Sequence, residues 1–180
     1  MKIPTLAFNT YLCLLLAPVA VFQTGCKTID QRKADKEAST LHFHLEVNPD
    51  GTPYNQPVPV YRENPVPIST SRDPFLDEGD IEHASVVDVD KMGGFGIRVQ
   101  FNAHGRMVLE NVTVANKGQR IVIFSEFGQA RWLAAPMINK RISDGNYVFT
   151  PDATREEAER IVRGVNNVIK SIAKESNLPP

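Results

Sequence analysis

Hydrophobic and polar residues alternate strictly over residues 41–47, with an apolar side chain at every second position. This period of two predicts a half-buried β-strand. The alternation ends at residues 48–51, Asn-Pro-Asp-Gly, a composition that is typical of a turn. His42, His44 and Glu46 lie on the polar face of the predicted strand, where we expect them to meet solvent.

A proline-rich segment follows, with seven of the thirteen prolines of the chain between Pro49 and Pro74. Because proline has no backbone N–H, this segment is excluded from being a helix or a central strand. We expect an extended connection with one short edge strand near residues 58–62. Disorder is the alternative, but several apolar side chains could be buried here: Val58, Val60, Tyr61, Val66 and Ile68.

Regular patterns return at residue 85. Two strands, over residues 85–90 and 95–101, are predicted to form a hairpin. Asn102 is typical of a helix N-cap and Gly118 of a helix stop, which predicts a helix up to residue 117. The core-facing stripe of this helix is expected to contain Val108, Leu109, Val112 and Ala115.

The second half of the chain predicts three more strands and a helix. The strands are expected over residues 119–125, 130–135 and 146–150. The sequence Thr-Arg-Glu-Glu at residues 154–157 is a capping box that predicts the start of the last helix. Gly164 within this helix predicts a close approach to the sheet. Apolar residues recur there at three- and four-residue spacing, at Ala158, Ile161, Val162, Val165, Val168, Ile169 and Ile172.

The order strand-strand-helix-strand-strand-helix predicts an α+β fold, an antiparallel sheet with two helices packed on one face. One strand, residues 121–124, is apolar on both faces. Either another part of the chain covers its second face, which is the favoured interpretation, or the strand carries a binding surface. The residues of that candidate surface are Ile121, Ile123, Phe124 and Trp132.

The first 26 residues contain both cysteines and have the features of a secretory signal peptide. The apolar run over residues 11–22 would extend about 18 Å as a helix, too short to cross a bilayer. The sequence Gln-Thr-Gly-Cys at residues 23–26 resembles the lipobox of bacterial lipoproteins. It predicts cleavage between Gly25 and Cys26 and acylation of Cys26. An ordinary signal peptide with an incidental cysteine is the alternative.

These features predict three regions. Residues 1–25 are a lipoprotein signal peptide, residues 26–40 are the lipidated cysteine with a polar tether, and residues 41–180 form one domain whose entry segment, up to residue 80, is proline-rich. The predicted partner of Cys26 is the lipid bilayer, on the periplasmic side of a bacterial membrane. Lys27 follows the cysteine where inner-membrane lipoproteins can carry Asp, so the outer membrane is favoured.

Composition and motifs exclude several functions. A formal charge of −1 gives no basic field for nucleic acid. We find no nucleophile elbow, and we predict no catalytic residue and no cofactor. His42 and His44 could supply two metal ligands, with His83 or an acidic residue as a third. A solvated polar strand face is the favoured interpretation, so no metal site is predicted.

Several short motifs occur in order between residues 101 and 158. They are Phe101-Asn-x-x-Gly105, Thr113-x-x-Asn116-x-Gly118-x-Arg120, Ala134-Ala-Pro136, Phe149-Thr150 and Glu156-Glu-Ala158. Together they resemble the head subdomain of the first periplasmic domain of SecD, a membrane subunit of protein export. Weaker similarity extends upstream, to residues 79–84 and 41–45. These motifs are caps, turns and packing positions, so they imply a fold more strongly than an activity.

The resemblance implies a non-enzymatic head module that contacts a polypeptide or a translocase partner. The leading hypothesis is therefore a cell-envelope lipoprotein that binds protein and is accessory to protein export. A structural envelope lipoprotein unrelated to export is the second hypothesis, and an uncharacterised hydrolase or metal-binding protein is the third.

Overall fold

The computed structural model describes residues 29–34, 36–90 and 93–176, and within them the chain forms three α-helices and eight strands. In chain order the elements are α1 Ile29–Ala34, β1 His42–Leu45, β2 Asn55–Val60, β3 Val66–Ser71, a 3₁₀ turn at Glu78–Asp80, β4 Ile81–Asp88, β5 Phe95–Phe101, α2 Ala103–Ala115, β6 Ile121–Glu126, β7 Ala130–Ala134, β8 Asn146–Phe149 and α3 Arg155–Ser176.

The α+β class is confirmed, but the strands form two sheets where the sequence predicted one. One sheet has the order β1-β6-β7-β2-β3 and the other the order β4-β5-β8. Neighbouring strands run antiparallel except β2 and β7, which meet in a single parallel bridge between Val60 and Trp132. The proline-rich segment supplies β2 and β3 of the five-stranded sheet, whereas β4, β5 and β8 pair only with one another among the described strands.

The five-stranded sheet curls until its outer strands, β1 and β3, meet. Val47 N–H donates to the Ser69 carbonyl at 2.9 Å, and Thr70 Oγ1 donates to the Leu45 carbonyl at 3.1 Å. These bonds close the sheet into a small barrel and satisfy backbone groups that an open edge would leave exposed.

The proline-rich segment is a β-hairpin, which corrects the prediction of one edge strand near residues 58–62. Pro57, Pro59 and Pro67 are exposed, whereas Val58 and Ile68 point into the barrel and are buried. Alternation along these strands therefore keeps the proline rings outside while valine and isoleucine fill the interior.

Two separate cores explain why β6 is apolar on both faces. Ile121 and Ile123 face a main core shared with β1, the three-stranded sheet and the helices, where the rings of Phe43 and Phe101 lie 5.2 Å apart. Val122 faces the barrel interior, which it shares with Val58, Val60, Ile68 and Ala135. The favoured interpretation was tertiary cover of the second face, and the cover is the β2–β3 hairpin.

Helix α2 begins after the predicted Asn102 cap, ends at Ala115, two residues before the predicted end, and buries a stripe that differs in part from the predicted one. Asn102 Oδ1 accepts the Gly105 N–H at 2.9 Å, and Gly118 adopts a φ of +92° after the helix. Leu109 is buried, whereas Ala115, expected in the core, is exposed. Thr113 is buried instead, because its hydroxyl donates to the Leu109 carbonyl at 2.8 Å and so loses little on leaving water.

Helix α3 begins with the predicted capping box. Thr154 Oγ1 accepts the Glu157 N–H at 3.2 Å, and Glu157 Oε2 accepts the Thr154 N–H at 2.9 Å. Gly164 makes the predicted close approach, but to Ser39 in the entry segment and not to a sheet. A Cβ at this glycine would lie 2.3 Å from Ser39 Oγ.

The segment ahead of β1 packs on α3, which revises the polar tether over residues 26–40. Asn167 Nδ2 donates to the carbonyls of Ala34 and Glu37, both at 2.9 Å. Arg163 Nε donates to Glu37 Oε2 at 2.8 Å, and Ser39 is buried. Ala34, Glu37 and Ser39 thus pack against the domain ahead of the predicted boundary at residue 41.

The predicted signal peptide, with Gly25 and Cys26, lies outside the described residues, so cleavage and lipidation stay predictions. Among the helices of residues 29–34, 36–90 and 93–176, none combines the length and apolar character that crossing a membrane requires.

Candidate binding groove beside Trp132

The four residues of the predicted binding surface divide between two environments. Ile121 and Ile123 are completely buried in the main core, so they cannot contact a partner, and this part of the prediction is wrong. Phe124 and Trp132 are only partly buried and lie on the opposite face, with ring centroids 5.1 Å apart. The alternation of β6 separates the two pairs, because successive side chains point to opposite faces.

The aromatic face carries a continuous row of four rings across β1, β6 and β7. The His42 ring stacks on Phe124 at 6.0 Å, and the His44 ring meets Trp132 edge-on at 5.0 Å. Offset-stacked and edge-on contacts are favourable because an aromatic ring has a negative face and a positive edge. The row fixes the orientation of Trp132.

His44 does not face solvent as the strand pattern predicted. Only 5% of the residue is exposed, and Nδ1 lies 3.0 Å from the Ser71 carbonyl. Burial lowers the pKa of His44, which favours the neutral imidazole. The cause is the closure of the barrel, which brings β3 over a strand face that would otherwise be open.

His42 lies at the rim of the barrel and pairs with Glu78, from Nε2 to Oε2 at 3.5 Å. The hydrogen bond to Glu78 raises the pKa of His42. Burial disfavours the Glu78 carboxylate, but hydrogen bonds from His42 and from the Leu41 N–H outweigh it and lower the pKa of Glu78. Both shifts favour the charged form of the pair.

The two histidines on β1 do not converge on one point. Their ring centroids are 6.2 Å apart, and each nitrogen that bonds to the protein has a different partner, Glu78 for His42 and Ser71 for His44. Within the part of the chain that the structure describes, no group of three or more His, Cys, Asp or Glu residues could hold a metal ion.

Trp132 forms one side of a shallow groove of about 220 Å³ at the end of the β2–β3 hairpin. Pro59 and Pro65 line it with exposed rings, and Tyr61, with 38% of its surface exposed, stands at the hairpin turn. Tyr61 has a φ of +73°, a conformation that is costly for a bulky residue. Strain of this kind is concentrated at functional sites.

Charged side chains fix the rim of the groove through Glu157 of α3. Its carboxylate accepts hydrogen bonds from Arg62 Nη2 at 2.9 Å and from Arg131 Nη2 at 3.2 Å. The Arg131 guanidinium also lies 5.1 Å above the Phe127 ring, and its buried Nε and Nη1 have no hydrogen-bond partner among the described residues. Asp152 accepts the Arg62 N–H, which ties the hairpin turn to the start of α3.

The groove thus combines an apolar floor with charges that are already paired around it. Aromatic and proline rings give contact area at small entropic cost, a property that suits the binding of protein segments. Sequence reasoning identified Trp132 but missed Tyr61, Arg62 and Glu157. In the sequence, Tyr61 stands out only as one of several apolar residues of the proline-rich segment.

The family model of the SecDF P1 head subdomain matches residues 55–165. This range covers the hairpin, both sheets except β1, helix α2 and half of α3. No curated protein sequence matches the chain.

Two solved structures share the fold. A structure of SecDF, a membrane component that enhances protein export, is 19% identical with a TM-score of 0.55, over 81% of this chain and 71% of that chain. SecDF in its Super-membrane-facing form is 20% identical with a TM-score of 0.52, over 76% of this chain. The present chain spans 20% of the length of that second protein.

Proposed function

Because the chain belongs to the SecDF P1 head subdomain family, we propose that it is a non-catalytic accessory of protein export. Its task is to contact a polypeptide or a component of the translocase on the periplasmic side of a membrane. The contact surface is the Trp132 groove, defined by Pro59, Tyr61, Pro65 and Trp132.

The observation that carries this proposal is the strained, exposed Tyr61 beside a half-buried tryptophan. The ring row behind Trp132 and the Glu157 ion pairs hold the groove in shape without a partner. A preformed groove loses little entropy on binding, so it suits repeated, short contacts with passing segments.

The proposal includes a lipid anchor at Cys26, supported by the lipobox sequence and by the small residues before it. Two or more acyl chains would hold the protein stably on a bilayer. The outer membrane is the proposed location, since Lys27 follows the cysteine.

Site-specific photocrosslinking in cells tests the groove. A benzoylphenylalanine crosslinker replaces Tyr61 in the groove or, as a matched control, Tyr54 at the other end of the hairpin strand, where 73% of the residue is exposed. We expect position 61 to crosslink to an exported reporter protein arrested in the translocon, or to a translocase subunit. Position 54 should give no such product.

Equal crosslinking from both positions, or no protein adduct from position 61, would argue against the groove as a binding site. A deletion strain separates this function from a structural one. If deletion weakens the envelope and leaves secretion kinetics unchanged, the structural lipoprotein is the better description.

A further inference from the structure

Helix α3 extends beyond the part of the fold that buries it. Its buried residues, such as Ile161, lie in the first half of the helix. Val168 and Ile169 are only partly buried, and residues 170–176 are exposed. The apolar face nevertheless continues to Ile172, which has 42% of its surface exposed and belongs to neither core. The last two turns of α3 therefore present apolar surface to the outside.

A groove of about 490 Å³ lies between this end of α3 and the entry segment ahead of β1. Ala38 of the entry segment and Val168 and Ile172 of α3 form its apolar lining. The 2.9 Å bonds from Asn167 to two carbonyls of the entry segment hold the two walls of the groove together. The groove is therefore a fixed feature of the described chain, and it continues the exposed apolar face of α3.

The charges in the groove balance, but the segments around it are positive. The charged residues of the lining are Lys36, Glu37 and Glu175. Glu37 is paired with Arg163 at 2.8 Å, so the lining and this ion pair are neutral together. Residues 27–37 contain four basic and three acidic side chains, and residues 163–176 contain three and one, which gives a net charge of +3. The whole chain has a formal charge of −1, so this part is positive and the remainder is negative.

The proposed acylation site is close to this groove along the chain. Cys26 precedes Ile29, the first residue of α1, by three residues, which span at most about 11 Å. Helix α1 covers about 8 Å more before Ala34, whose carbonyl is bonded to Asn167. Cys26 therefore lies no farther than about 20 Å from the groove. A bilayer that holds its acyl chains must pass within the same distance.

We infer that the last two turns of α3 and the groove beside them lie on the phospholipid bilayer that carries the anchor. Val168 and Ile172 enter the boundary between headgroups and acyl chains, and the exposed Lys170 and Lys174 meet anionic headgroups. The inference rests on the lipid anchor of the proposed function. It adds which face of the domain is turned to the membrane.

The anchor makes this small apolar surface sufficient. Membrane binding of an amphipathic helix increases with the apolar area that it buries and with its attraction to anionic lipids. One exposed isoleucine would not hold a free protein on a membrane. A tethered domain is already confined near the bilayer, where contacts form at an effective concentration on the order of millimolar. The same confinement favours the bilayer over a protein partner, which would have to reach a face that is turned to the membrane.

The test uses the acylated chain in vesicles of phosphatidylethanolamine and phosphatidylglycerol. The polarity-sensitive dye NBD labels Ser171→Cys in the groove or, as a control, Glu63→Cys in the exposed hairpin turn. The turn lies about 20 Å away along α3, because Arg62 pairs with Glu157 near the start of that helix. Lipid blocks the Cys26 thiol, so the dye reacts with the introduced cysteine.

We expect the emission of NBD at position 171 to shift to the blue and to brighten about threefold, because the dye leaves water for the headgroup and acyl boundary. Lipids that carry a nitroxide should quench it. NBD at position 63 should show neither the shift nor the quenching.

Two variants at Ile172 distinguish contact with the bilayer from proximity to it. Ile172→Glu places a charge where the apolar side chain enters the membrane, and it should reduce the response at position 171 to that at position 63. The chain should still sediment with the vesicles, because the lipid is unchanged. Ile172→Leu keeps the apolar surface, so we expect the response of the unsubstituted chain.

Equal responses at positions 171 and 63, or an unchanged response in Ile172→Glu, would overturn the inference while leaving the anchor intact. A blue shift at position 171 that nitroxide lipids do not quench would also overturn it, and would assign this face to a protein partner or a second copy. A chain without lipid that does not sediment with the vesicles would refute the anchor, and the inference with it. Crosslinking from Tyr61 tests the Trp132 groove independently of all these results.

Discussion

Gly164 is the residue at which α3 and the entry segment come closest. A glycine in an exposed helix normally costs about 1 kcal/mol relative to alanine, so Gly→Ala is usually stabilising. Here the added Cβ would lie 2.3 Å from Ser39 Oγ and 2.7 Å from the Ser39 backbone nitrogen. Because the Ser39 backbone nitrogen cannot rotate away, we expect Gly164→Ala to destabilise the protein instead of stabilising it.

We therefore predict that Gly164→Ala destabilises the protein by about 1–3 kcal/mol, the usual cost of overpacking. Urea denaturation measures the change. Ser171→Ala, at an exposed position of the same helix, is the matched control and should change stability by less than about 0.5 kcal/mol. A Gly164→Ala protein as stable as the wild type would show that Ser39 does not pack there.

His42 and His44 stand two residues apart on β1, yet their environments give opposite pH dependence. The hydrogen bond to Glu78 raises the pKa of His42, so its contribution to stability is fully present below the ordinary value of 6.5 and is lost as pH rises through the raised value. Burial lowers the pKa of His44, so its contribution is present above 6.5 and is lost as pH falls.

We predict that His42→Gln costs more free energy of unfolding at about pH 5.5 than at about pH 8.5, and that His44→Gln shows the reverse trend. Urea denaturation at the two pH values checks both variants. His83→Gln, exposed on β4, controls for the loss of a histidine as such. The assignment fails if both β1 variants change in the same direction with pH.

At the scale of elements, the β2–β3 hairpin covers the barrel interior. Its Ile68 is buried there, in the same cluster as Trp132. We predict that Ile68→Ala costs about 2–5 kcal/mol, as truncation of a buried isoleucine does. Trp132 is the one tryptophan of the chain, so its fluorescence reports on the barrel interior. The emission should shift to the red as water enters.

Val66→Ala offers the comparison, since Val66 lies on the same strand with 47% of its surface exposed. We expect a loss of less than about 0.5 kcal/mol and an unchanged emission maximum. If both variants behave alike, the hairpin does not close the barrel through Ile68.

Elements governed by neighbouring residues could be predicted from the sequence. Features that depend on closure of the five-stranded sheet into a barrel could not. The Thr154–Glu157 capping box and the Asn102 cap follow local rules and were predicted at the right residues. The burial of His44 depends on Ser71, 27 positions away, and no periodicity within β1 contains that information. The hairpin was missed because its prolines argue against a central strand, whereas here they occupy the outer face.

The residues of the candidate site also divide into those that the local sequence indicates and those that depend on distant contacts. Because residues 121–124 are apolar on both faces, the sequence indicated either cover of the second face or a binding surface, but not which residues stay exposed. Trp132 was identified as a large apolar side chain near that strand. Tyr61 could not be, because its role depends on a left-handed backbone conformation and on the fold of the hairpin.

At the scale of the whole molecule, the proposed anchor determines where the domain works. We predict that the mature protein begins at an acylated Cys26, and that mass spectrometry of its N-terminal peptide shows the added lipid. Cys26→Ser should move the protein from the membrane fraction to the soluble periplasmic fraction. An unmodified start at another residue would refute the anchor while leaving the fold and the groove untouched.

The packing of the entry segment on α3 also has a mechanical consequence. Tension applied to the chain ahead of Ala34 would load the bonds from Asn167 and Arg163 before it reached β1. These few bonds would break at lower force than the β1–β6 pairing. Their loss would let the chain ahead of β1 extend by about 20 Å. The domain would then move farther from its point of attachment under load while the barrel stayed folded.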